Sequence, residues 1–214
     1  MRLALILFIF IVLGCSDDSK NIDQFKLLPT VQNFTFNEGF SNLNHNNINY
    51  AFSNNNDQLP ILYDFTNHIS NSNKNEASIH YVINNDLELE SEGYIINVLK
   101  NKISIEAKDK QGLFYAFITL DQMLEDSKAT NTNLPLLTIK DFPSLKFRPI
   151  HIDVKHHLEK KYYYFNLIDH LAKQKINGII VEFEDKLKYQ LRPEIGAPSA
   201  LDIDWWIELS DYAI

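Results

Sequence analysis

The stretch that most constrains this chain is residues 146–184, which read strand, helix, strand, the second strand opening on the unbroken apolar run Gly178-Ile179-Ile180-Val181. Lys146–Val154 places Ile150, Ile152 and Val154 at alternate positions, so they share one face. Glu159–Lys175 carries Phe165, Ile168, Leu171 and Ala172 on one helical stripe that runs on to Ile176. A helix between two strands makes them parallel neighbours, and a continuous apolar strand asks for cover on both sides. Lys173 and Lys175 are expected at the negative end of the helix dipole, with Asn177-Gly178 as its left-handed stop. Asp204–Ile214 begins another helix with Trp205, Leu209 and Tyr212. Residues 142–214 therefore predict two βα units. A closed (β/α)8 barrel takes about 250 residues, so a 214-residue chain does not hold one beside another domain. Residues 142–214 supply those two units and no more.

Residues 16–141 obey a different pattern and predict one α+β unit. Thr30–Phe36 and Asn47–Phe52 are strand candidates, Leu59–Ile69 has helical spacing, and Ser78–Ile83 is another strand. Gly93–Leu99 and Lys102–Ala107 alternate on either side of Lys100-Asn101, the pattern of a hairpin. Gln111-Gly112 opens a helix with Leu113, Phe114, Phe117, Leu120, Met123 and Leu124 on one stripe, and Pro135–Ile139 is a last strand. The sum is a sheet with helices on one face. Asparagines are frequent between residues 42 and 75, where they suit turns.

The first fifteen residues read as an address. Met1-Arg2 precedes an apolar run, Leu3–Leu13, too short for the ~20 residues of a membrane-spanning helix. Gly14 and the chain's single cysteine, Cys15, follow it, as in a lipobox, where cleavage would fall between Gly14 and Cys15 and Cys15 would be lipidated. The alternative is a buried thiol ending a hydrophobic helix, but Ser16-Asp17-Asp18-Ser19 comes next. One cysteine excludes an intrachain disulfide framework. Twenty Lys+Arg against 28 Asp+Glu give a net charge of −8, a poor match to nucleic acid. The expected location is the bacterial cell envelope, exported and lipid-anchored.

Glu92-Gly93-Tyr94, the hairpin and Gln111-Gly112-Leu113-Phe114-Tyr115 resemble the small N-terminal domain of glycoside hydrolase family 20, the β-N-acetylhexosaminidases. Asp141-Phe142-Pro143, Phe147-Arg148, Asp153 and Lys175-Ile176-Asn177 are similar to that family's first barrel strand and helix. The resemblance covers roughly residues 90–214. It implies a zincin-like α+β domain, so named for its shape, then the first two βα units of a (β/α)8 barrel left incomplete in this chain, from an enzyme that removes terminal β-linked N-acetylhexosamine from glycans. It implies no cofactor and no metal, and His-Glu-x-x-His is absent.

The sequence also departs from the family. Its pattern Arg-Gly-x-x-x-Asp-x-x-Arg-His becomes Arg148-Pro149-Ile150-His151-Ile152-Asp153-Val154-Lys155-His156-His157, putting His156 where the family has an arginine that contacts sugar hydroxyls. Strand two reads Val181-Glu182-Phe183-Glu184-Asp185, closer to the hexosaminidase-D-like branch. The resemblance places the catalytic Asp-Glu pair on a later strand, so no catalytic residue is expected in this chain and the 214-residue piece is expected to be inactive. Candidate substrate-binding residues are Arg148, Asp153, His156, Glu184 and Asp185.

Glu182 and Glu184 lie two apart, so on one strand they would point the same way at ~6.6 Å. An inverting acid and base pair is rejected, because family 20 uses the substrate's acetamido group as nucleophile. Lys155, Lys186, Lys188 and Arg192 are expected to pair with these acids. The cluster reads either as a salt-bridged strand end or as a sugar subsite. His45, His68, His80, His151 and His170 read as solvated or hydrogen-bonded. Tyr162-Tyr163-Tyr164 is expected to pack on the neighbouring domain; Trp205 fits the core stripe, while Trp206 is left open between an exposed position and a face for stacking on a sugar ring. Two other functional readings stand beside the hydrolase: a non-catalytic surface lipoprotein binding glycan or a partner, and a fragment without activity.

Overall fold

The computed structural model describes residues 25–50, 70–71 and 78–214. Cys15 and its apolar run, the 59–69 helix and His68 lie outside the described residues. Among the described residues no helix is long and apolar enough to cross a membrane.

Strands β1 (Asn33–Phe40), β2 (Asn49–Tyr50), β3 (Ser70–Asn71), β4 (Ile79–Ile83), β5 (Tyr94–Val98), β6 (Ile103–Ala107) and β7 (Pro135–Asp141) form one seven-stranded sheet, ordered β1-β7-β5-β6-β4-β2-β3. The expected hairpin is β5–β6, antiparallel with Tyr94 opposite Ala107. Helix α1 (Lys110–Thr130) covers one face of the sheet. It forms here for local reasons. Asp109 caps it by accepting the Gly112 N–H at 2.7 Å, and Asn131 in the left-handed region closes it, its N–H donating back to Lys128 O and that of Thr132 to Ser127 O. Leu113, Phe117, Leu120, Met123 and Leu124 are buried against Ile96, Val98, Ile103, Ile105, Leu137 and Ile139. Each such side chain contributes ~1.5–3 kcal/mol of burial. The α+β reading holds, with β1 starting three residues later than Thr30.

The second unit is β8 (Pro149–Asp153), α2 (Lys161–Lys173), β9 (Gly178–Glu182) and α3 (Ile203–Tyr212), with short 3-10 turns at Glu184–Lys186 and Pro193–Ile195. β8 and β9 are parallel, Pro149 opposite Gly178 and Asp153 opposite Glu182. Ile152, Val154 and Val181 pack with Tyr164, Trp205, Trp206 and Leu209, so the alternate residues His151, Asp153, Ile180 and Glu182 point away from the helices.

Several expectations fail here. β8 begins at Pro149 rather than Lys146, because Arg148 and Asn177 bind across the strand starts instead of extending the ladder. Trp206 is buried, not exposed, in edge-on contact with Trp205, Phe183 and Tyr164. Of the tyrosine run only Tyr164 is buried, and it packs within its own unit. The left-handed stop after α2 is Lys175, φ 59°, and not Asn177-Gly178. Lys175 is buried and does not face solvent at the helix end.

Candidate substrate-binding site

The C-terminal ends of β8 and β9 bring four carboxylates together. Asp153 is exposed, and its Oδ1 accepts the Lys155 N–H at 2.8 Å, which turns the chain out of β8. Glu182, opposite it in the ladder, lies 3.2 Å from His151 Nε2. Lys155 Nζ reaches Glu184 at 2.6 Å, and Lys186 Nζ reaches Asp185 at 2.5 Å. The bond to Glu184 raises the Lys155 ammonium above its ordinary pKa, and the bond from Lys186 lowers the Asp185 carboxyl below its own. His156 is exposed beside them.

Glu184 is not a strand residue. With φ 43° it opens the 3-10 turn, where Tyr189 Oη donates to its carbonyl at 2.8 Å, so the ~6.6 Å alignment with Glu182 is not formed. A non-glycine residue in that region costs ~1–3 kcal/mol and is concentrated where the surroundings hold it for a purpose. Lys188 and Arg192 do not join the cluster; they pair locally with Asp202 and Glu194, at 3.0 and 3.4 Å. What the strand end offers is a rim of carboxylates interleaved with ammonium donors. Among the described residues no group of three or more His, Cys, Asp or Glu is placed to hold a metal ion.

The structure sets Arg148 apart from the other four candidates. It precedes β8, roughly 16 Å along the strand from Asp153, and each of its three guanidinium nitrogens donates a hydrogen bond. Nε donates to Lys175 O at 2.8 Å, Nη1 to Leu145 O at 2.7 Å, and Nη2 to Glu92 at 2.5 Å. Glu92 stands at the corner before β5, φ 67°, and also accepts from Asn177 Nδ2 at 3.0 Å. Beside this joint Lys175 Nζ donates to Asp141 at 2.8 Å and to Tyr94 Oη at 2.7 Å, while Tyr94 Oη also donates to Asp141 at 2.7 Å. Burial lowers the Lys175 pKa against the pull of Asp141. Burial and then the Asp141 charge raise that of Tyr94 well above 10.0. Pro29, Phe142 and Leu145 wall a cleft over these groups. Nothing local in the sequence joins Glu92, Tyr94, Asp141 and Lys175, since their partners are 34 to 81 residues apart.

The model for glycosyl hydrolase family 20, domain 2, matches residues 24–142. The chain belongs to glycosyl hydrolase family 20. Its domain 2 is the seven-stranded unit described above. Among curated relatives, beta-hexosaminidase B of Pseudoalteromonas piscicida is 28% identical over 101 residues, 47% of this chain and 13% of that protein. N,N'-diacetylchitobiase of Vibrio harveyi is 27% identical over 120 residues, 53% of this chain and 13% of that protein. The structure is also similar to beta-N-acetylhexosaminidase of Bacteroides fragilis, with TM-score 0.68 at 21% identity, over 87% of this chain and 41% of that one. The GH20 exo beta-N-acetylglucosaminidase of Vibrio harveyi, solved with N-acetylglucosamine, gives 0.67 at 20% identity, over 89% and 34%. The chain thus spans well under half the length of these proteins, and the structural likeness at such identities concerns the fold.

Proposed function

We propose that this chain is the N-terminal part of an exported, lipid-anchored glycosidase that removes terminal β-linked N-acetylhexosamine from glycans with retention. The observation that carries the reading is continuity: a family 20 domain 2 runs directly into a parallel strand–helix–strand unit whose C-terminal strand ends gather Asp153, Glu182, Glu184 and Asp185. In this reading the second unit opens a (β/α)8 barrel, behind a domain 2 of zincin-like shape. The face bearing His151, Asp153 and Glu182 is the barrel interior, and the strand ends are the substrate side. Asp153, His156, Glu184 and Asp185 hold sugar hydroxyls, and none of them is a catalytic acid. The substrate's 2-acetamido carbonyl attacks the anomeric carbon, the leaving oxygen takes a proton from an acid on a later strand, and water then opens the intermediate.

The test is hydrolysis of an aryl β-N-acetylglucosaminide by the longer reading frame, against the matching glucoside. Retention, with the glucoside cleaved far more slowly, is expected, and residues 1–214 alone should give no turnover. Equal rates on both substrates would remove the acetamido mechanism. Glycan binding without turnover by the longer protein would support the second reading, a binding lipoprotein, which the pairing of Glu184 and Asp185 with lysines also suits.

A further inference from the structure

We propose that Glu92 is a positioning residue: one carboxylate on the sheet unit sets the register of β8 against β9, and so fixes where the strand-end carboxylates lie. The need for such a pin follows from the pattern of the two strands. Ile150, Ile152 and Val154 face the helices from β8, Ile179 and Val181 from β9. A one-residue slip would turn Glu182 towards the helices and is excluded by burial. A two-residue slip keeps every side chain on its own face. Apolar patterning therefore does not reject it, although it would carry Glu182 and Glu184 ~6.6 Å past Asp153.

Polar contacts at the strand starts reject it instead. Arg148 and Asn177 immediately precede the first residues of β8 and β9, and they bind each other: Arg148 N–H to Asn177 Oδ1 at 2.8 Å, Asn177 N–H to Arg148 O at 3.3 Å. Glu92 takes one donor from each, Arg148 Nη2 on Oε2 and Asn177 Nδ2 on Oε1. One oxygen per strand leaves no alternative register that satisfies both. The backbone that carries the carboxylate is held in turn, because the Glu92 N–H and Ser91 Oγ both donate to Asp109 Oδ2 at 2.9 Å, the side chain that caps α1. A left-handed glutamate where glycine would be easier is a local cost retained at this corner. The function proposed above gives the strand-end carboxylates their task; the register argument holds without it.

The experiment is amide hydrogen exchange and amide chemical shifts on the full chain, for Glu92→Ala. Exchange in β8 and β9 should rise about tenfold or more while β5 and β6 keep their rates. The amides of Lys155 and Glu184, at the far strand ends, should shift, which mere adhesion between the units would not produce. Glu90→Gln removes only an exposed contact, 3.8 Å from Lys146, and should change nothing. If Glu92→Ala does not fold, the isosteric Glu92→Gln, which keeps the side chain's shape but leaves one acceptor oxygen for the two donors, should give the same pattern in weaker form. Unchanged far-end shifts, or exchange raised equally in β5 and β6, would overturn the proposal. Neither readout needs turnover, so a longer protein without glycosidase activity leaves this test intact.

Discussion

Replacing Lys175 by methionine removes the ammonium and leaves the carboxylate of Asp141 behind. The two side chains are 8% and 10% exposed, so the pair does not belong with surface ion pairs worth about 0–1 kcal/mol. Breaking a buried pair from one side costs ~3–5 kcal/mol, because a desolvated charge remains. Asp141 keeps two donors, the Gln32 N–H at 3.0 Å and Tyr94 Oη at 2.7 Å, which puts the loss at the lower end, about 3 kcal/mol. Methionine inherits the same left-handed backbone, so strain does not alter the difference. For a chain of this length the melting temperature should fall by about 6–12 °C. Urea unfolding followed by tryptophan fluorescence suits the question, since Trp205 and Trp206 both sit in the second unit's core. The double variant Lys175→Met/Asp141→Asn removes the stranded charge and keeps an acceptor for Gln32, so it should return to within about 1 kcal/mol of the parent. A single variant losing less than about 1 kcal/mol, or a double variant as unstable as the single, would refute the reasoning.

Three further outcomes are expected. Tyr94 has a folded pKa above its unfolded value, so its contribution is complete below pH 10 and is lost as the pH climbs further. Lys175 has the opposite sign, its lowered pKa making stability rise as pH approaches 10.5. Tyr94→Phe should therefore lose melting temperature less steeply than the parent above pH 10 in a thermal titration. Gly112→Ala places a Cβ 2.5 Å from Gly93 O and 3.0 Å from Glu92 C, backbone that has nowhere to go, and should cost about 1–3 kcal/mol in urea melts. Cys15→Ser should leave an unlipidated precursor in the soluble fraction after ultracentrifugation; complete retention in the membrane pellet would contradict the lipobox.

The parts legible in the sequence are those governed by a local period. The α1 stripe and the β5–β6 alternation each announce themselves within about twenty residues, and the crossover between β8 and β9 is a run of three such local patterns. The joint is illegible for the same reason. Arg148 meets Glu92 across 56 residues and Lys175 meets Tyr94 across 81, and polar pairs at such separations leave no period. Lys175 looked like an ordinary dipole partner because helix ends commonly carry lysine; only a left-handed turn redirects it inward. Glu184 continued an alternating pattern that its own backbone breaks. Trp206 looked exposed by helical phase alone, but α3 meets Phe183 and Tyr164 on a second side, which widens its buried face.

Glu92 sits in a conformation that glycine adopts freely. In the sheet unit alone glycine would relieve the strain at this corner, whereas in the assembled chain it would remove the carboxylate that meets Arg148 and Asn177. A Glu92→Gly domain 2 engineered for robustness would thus make a sturdier isolated module and a poorer neighbour, with stability and fidelity of assembly traded against one another at one φ angle.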